Sequence, residues 1–102
     1  MKMHDLKCWP EPFRSIENGD KSCDIRKDDR GFQVGDLVTL FKYDPDSGWY
    51  CGKAVEFEIS HIQRGFGLKE GHVALSWKSI LFYEFSRGWS DDIFRPRTHE
   101  IV

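Results

Sequence analysis

Lys21, Asp24 and Arg26 stand three and then two residues apart, an ammonium, a carboxylate and a guanidinium within six positions. Each has a recognised use toward a nucleotide. A guanidinium grips a phosphate or a base edge with two parallel hydrogen bonds, an ammonium offers a point charge, and a carboxylate accepts from an exocyclic amine or a ring N–H. Together they are the set needed to hold one nucleotide. The plainer reading is an ion pair of Asp24 with Arg26 or Lys21 on a solvated strand face, contributing a few tenths of a kcal/mol. Composition alone favours that plainer reading.

Other residues supply a rim. Lys7, Lys27, Arg30 and Lys69 are candidate phosphate contacts, and Trp9 and Phe66 are candidate stacking surfaces for an unpaired base. Stacking on an aromatic is worth about 1–3 kcal/mol per base. Phe66 is flanked by Gly65 and Gly67 and reads as an exposed tip, whereas a Trp beside a Pro at a strand-to-helix junction is more often core or lid. Asp28 and Asp29 oppose phosphate binding unless they are tied to Arg26, Lys27 or Arg30. His4, His61, His72 and His99 show no paired metal spacing, so each reads as a surface or satisfied core histidine.

The elements that must carry these residues follow from period and punctuation. Met3 to Cys8 reads as a strand, which Trp9-Pro10-Glu11-Pro12 stops and turns into a short helix through Phe13 and Ile16, closed by Asn18-Gly19. Lys21 to Lys27 alternates, which predicts a half-buried strand with Cys23 and Ile25 inward and Ser22, Asp24 and Arg26 outward. Leu37 to Tyr43 is β-branched and aromatic, Asp44 to Gly48 is a hairpin loop, and a return strand runs Ala54 to Ile62, with Val55, Phe57, Ile59 and His61 on one face. The glycines of Gln63 to Gly71 predict a loop, and His72 to Trp77 another strand. Beyond Lys78, Ile80 to Phe85 has strand composition, Trp89 to Phe94 resembles a capped helical turn, and Arg95-Pro96-Arg97 interrupts it.

The bounds agree with one small globular unit. At 102 residues, 39% hydrophobic and 15% aromatic, the chain suffices for one core, so a single domain over residues 1–102 is expected. Fifteen Lys and Arg against seventeen Asp and Glu give a net charge of −2, which excludes coating nucleic acid by bulk charge. A local basic patch remains open, because a phosphate senses charge within about 8–10 Å. Cys8, Cys23 and Cys51 are odd in number and widely spaced, as reduced thiols are, and the first residues lack the apolar run of a signal peptide. A reducing cytoplasm is the expected location, with no membrane span, no metal and no cofactor.

Gly19-Asp20-Lys21-Ser22-Cys23-Asp24-Ile25-Arg26 has the spacing of the G-x-K-x-x-E-x-R signature of ASCH domains, with Asp24 in place of Glu. His4 to Lys7 with Trp9-Pro10, Asp24 to Arg30, Phe32 to Asp36, Tyr43-Asp44-Pro45, Gly65 to Leu68 and Gly71 look like the DUF3850 subgroup, over roughly residues 4–76. That resemblance implies a mixed α+β, mainly β, PUA-like fold: a small curved barrel of five to six strands with one or two short helices. Residues 79–102, whose apolar side chains would aggregate if left free, are expected to form an extension packed on it. It also implies a role in RNA metabolism, with RNA or a nucleotide-like ligand as partner, and it reverses the preference for the plainer reading of Lys21, Asp24 and Arg26. Some proteins similar to this one hydrolyse the amide of an acetylated cytidine with a signature Lys, a Thr three residues on and a distant Glu. Lys21 fills the first place, Asp24 the Thr place, and Glu70 is a loop candidate for the third, so only Ser22 offers a nearby hydroxyl. Strand alternation would point Lys21 away from Ser22 unless a twist swings it back, which disfavours turnover. A protein-interaction module is a third reading, and the oligomeric state stays open.

Overall fold

The computed structural model describes residues 1–85 and 88–90. Its elements are β1 (Met3–Cys8), α1 (Pro10–Glu17), β2 (Cys23–Lys27), β3 (Leu37–Asp44), β4 (Trp49–Glu58), β5 (His61–Gln63), β6 (His72–Ser76), β7 (Ile80–Glu84) and β8 (Trp89–Ser90). The protein is mainly β with one helix. Among the described residues eight strands stand where five or six were expected, two of which, β5 and β8, are only three and two residues long.

The strands form two sheets. The larger has the order β1-β3-β4-β7, with β8 continuing beside β4, and the smaller has the order β2-β6-β5. β1 runs parallel to β3, and the other pairs are antiparallel. Among the described residues no ladder joins the β1 edge to the β2 edge, and no closed barrel is formed by them.

Residue types explain the main elements. Pro10 and Pro12 sit in the first turn of α1, where a missing N–H breaks no bond. Phe13 and Ile16, three apart on one helix face, are the buried pair, and Asn18 with Gly19 at φ 80° ends the helix. They pack on Leu6, Leu40, Val55 and Phe57, the inward face of the larger sheet, and Val73, Leu75 and Trp77 close the core from the smaller sheet. Phe41, Tyr50 and Ala54 form a second cluster on the opposite face of the larger sheet.

Three expectations are corrected. The run Ala54 to Ile62 is two strands, because the N–H of Ile59 donates to Asp36 O at 2.9 Å and that of Ser60 to Ser76 O at 2.8 Å. This corner carries the chain from one sheet to the other, and His61, exposed, leaves the face of Val55, Phe57 and Ile59. Secondly, β2 starts at Cys23 and has the reverse phase: Asp24 is buried and Ile25 is 56% exposed. Thirdly, Trp89 and Ser90 do not open a helical turn but pair as a strand with Tyr50 and Trp49. The rest of that expected turn, the break at residues 95–97 and the packing of residues 91–102 lie outside the described residues.

Candidate functional site

The end of β1 and β2 from Asp24 onward flank a cleft of about 400 Å³, into which the reversed phase of β2 turns Asp24 and Arg26. Asp24 and Arg26 point back between the sheets. The Nε of Arg26 donates to Asp24 Oδ2, and its second nitrogen donates to the main-chain oxygen of Lys7. One guanidinium therefore links the two sheet edges. Lys21 precedes the strand, in a turn where its N–H and that of Asp20 both donate to Ser15 O, at 3.0 and 2.9 Å. Freed from strand alternation, it turns to the cleft, with Nζ 4.0 Å from Asp24 Oδ1.

Five cations line this cleft: Lys7, Lys21, Arg26, Lys27 and Arg30. Two carboxylates, Asp24 and Asp29, line it with them. On a chain of net charge −2 this is a local excess of positive charge. Besides Arg26 and Lys21, both drawn to Asp24, two more of the cations are engaged. Arg30 lies 3.6 Å from Asp29, and Lys7 Nζ sits 4.3 Å above the Tyr43 ring, a cation–π contact absent from the sequence reading. Asp28 is taken by Arg64 at 2.8 Å, another partner not foreseen, and also accepts from the N–H of Phe32. Neither Asp28 nor Asp29 is therefore a bare repulsive charge.

Trp9 lines the cleft and is 59% exposed, so it is not a core residue. It occupies the N-cap of α1 in an extended conformation, and its carbonyl accepts from Phe13 N–H at 3.0 Å, which leaves the indole on the rim. Cys8, buried, lies at the back of the cleft, where burial and then the nearby Asp24 carboxylate push its thiol up to about 12.

The glycine-rich loop does not enter this cleft. Lys69 and Glu70 line a second hollow with Asp28 and Arg64, and Phe66 lines neither. Asp29 borders the first hollow and Asp28 the second, so they meet at one step of the chain. Phe66 is 96% exposed and has φ 53° between Gly65 at 69° and Gly67 at 90°. The three residues of the hydrolase reading are likewise apart: Lys21 is in the cleft, Glu70 is in the second hollow, and Ser22 is exposed and outside the cleft lining.

Sequence reasoning missed a polar cluster that holds the start of β1. Asp36 is buried and accepts from the N–H groups of Lys2 and Gln33 at 3.0 Å each, and pairs with His4 Nε2 at 2.9 Å. Burial alone would raise its carboxyl, but these hydrogen bonds prevail and hold it below the ordinary carboxylate value. The His4 ring packs at 4.7 Å, tilted, against Phe32, which itself lines the cleft. The available signal was Asp36 following Gly35 at a loop-to-strand junction, where a carboxylate often caps free N–H groups.

Among the described residues no three His, Cys, Asp or Glu side chains gather as a metal site, and no helix is long and apolar enough to cross a membrane. The fold and the cleft define a small, mainly β protein with one helix and a basic groove between two sheet edges. The chain belongs to the family described as domain of unknown function (DUF3850), whose family model matches residues 3–77. No curated protein matches it.

Proposed function

We propose that the protein binds RNA or a nucleotide-like ligand in the cleft between β1 and β2, as a PUA-like, ASCH-type module acting in the cytoplasm. The observation that carries this reading is the gathering of Lys7, Lys21, Arg26, Lys27 and Arg30 around buried Asp24 in a cleft of about 400 Å³. That volume is at the small end of ligand sites and suits one nucleotide rather than a long tract. Phosphate goes to the lysines and Arg30, the base edge goes to Asp24 and Arg26, and the Trp9 indole covers the base.

The test is fluorescence anisotropy of labelled single-stranded RNA and of free mononucleotides at several salt concentrations. Binding is expected, with a shallow salt slope corresponding to a few phosphates, at about 0.7 per phosphate for a single strand. Absence of binding to any RNA or nucleotide at low salt overturns the proposal.

A further inference from the structure

Among the described residues β7 is an edge strand of the larger sheet, and it lacks the lysine, proline or bulge that commonly blunts an edge. Among the described residues nothing pairs with its outer side, and its ladder to β4 runs without a bulge. Edge strands are normally blunted by an inward charge, a lysine, a proline or a bulge. Ile80-Leu81-Phe82-Tyr83-Glu84 has no lysine or proline, and its three central side chains are 60%, 52% and 42% exposed. Because consecutive residues point to opposite faces, this is apolar surface on both sides of an edge that no described residue pairs with.

The sequence around β7 is complementary to itself. When two copies run antiparallel with Leu81 of each on a two-fold axis, Lys78 falls opposite Glu84, Ile80 opposite Phe82 and Ser79 opposite Tyr83. Moving the register by one pair in either direction sets Ile80 against Glu84, or Lys78 against Phe82. One register alone therefore matches charge to charge and apolar to apolar. Lys78 is exposed at a bend two residues ahead of the strand, so its ammonium reaches the pair from beyond the ladder, and Glu84 is exposed at the strand's end.

We propose that β7 is a dimerisation edge, at which two copies of this chain join the larger sheets into one continuous sheet across a two-fold axis. The contact is isologous, so each copy contributes the same two charge pairs and the same apolar strip. It uses no residue of the β1–β2 cleft.

The test is sedimentation equilibrium of the full chain across the micromolar range. The wild type is expected to be a concentration-dependent dimer. Leu81→Lys sets two like charges face to face on the axis and yields monomer at every concentration, with an unchanged circular-dichroism spectrum. Glu84→Lys turns two attractions into two repulsions and weakens the dimer about tenfold, as does Lys78→Glu. The double variant Lys78→Glu/Glu84→Lys restores pairing to near the wild-type constant. A monomeric wild type overturns the proposal, as does a Leu81→Lys chain that dimerises as tightly as wild type. A double variant no better than the single ones overturns the register.

Discussion

The guanidinium of Arg26 donates to the main-chain oxygen of Lys7, in a different sheet and nineteen residues earlier, while also pairing with buried Asp24. The sequence reading placed Arg26 on the outward, solvated face of its strand. The structure gives it two tasks, so Arg26→Ala is expected to destabilise by about 2–4 kcal/mol, because it strands a buried carboxylate and unlinks two sheet edges. Urea unfolding checks this. A shift below about 0.5 kcal/mol would show the bridge to be incidental.

Trp9 offers a cleaner probe of the cleft, since it caps α1 through its main chain alone. Trp9→Ala is expected to leave stability within about 0.5 kcal/mol and to weaken RNA binding by about 1–3 kcal/mol. Titration by anisotropy at fixed salt gives the answer, and unchanged affinity would remove Trp9 from the interface.

Phe66 combines near-complete exposure with a left-handed backbone, a conformation that costs an ordinary residue about 1–2 kcal/mol. Phe66→Asn is therefore expected to be stabilising or neutral in thermal unfolding. If Phe66 reaches RNA from outside the cleft, the same substitution lowers affinity at least fivefold. Full affinity in the variant would exclude the loop from the ligand path.

Asp36 makes stability depend on acidity. Its carboxyl is held below its ordinary value of 3.8 in the folded protein, so the unfolded chain takes up the proton first. The stabilisation is complete above that value and is lost as pH falls through the lower folded one. Asp36→Asn is expected to cost about 1–3 kcal/mol at neutral pH and to flatten the acid limb of a urea-midpoint profile. An unchanged acid limb would mean that other carboxylates dominate it.

Cys8 gives the opposite slope. With its thiol raised from 9.0 to about 12, its contribution is full below pH 9.0 and is lost as pH rises through the interval, because only the unfolded chain ionises there. In the native protein iodoacetamide should label exposed Cys51 readily and Cys8 only on unfolding, as peptide mass spectrometry would show. Rapid native labelling of Cys8 would contradict its burial.

Much of this was readable from sequence where local chemistry decides. Pro10, Pro12 and Gly19 bound the helix as expected, and the flanking glycines predicted that Phe66 would be exposed. The phase of β2 was misread, because in Cys23-Asp24-Ile25-Arg26 the apolar residues take the face that hydrophobic patterning would bury. A buried Asp24 becomes acceptable only once Arg26 and Lys21 converge on it, and that is a tertiary fact. The His4–Asp36 pair was invisible for the same reason, its partners being thirty-two residues apart. The corner at Ile59 and Ser60 interrupts an apparently unbroken apolar alternation through hydrogen bonds to distant Asp36 and Ser76, so no periodicity could mark it.

The parallel pairing of β1 with β3 has a temporal consequence. Met3 meets Leu37 and Cys8 meets Lys42, so the strand synthesised first has no partner until more than thirty further residues exist. The β3–β4 hairpin, by contrast, closes over the short stretch from Asp44 to Trp49. Closing the longer loop costs more chain entropy before any ladder bond is made, so the hairpin leads and β1 docks late. The cleft, whose one wall is the end of β1, therefore takes shape only in the last stage of folding. Pulse-labelled hydrogen exchange would see the amides of Val38 to Phe41 and Ala54 to Phe57 protected before those of His4 to Cys8.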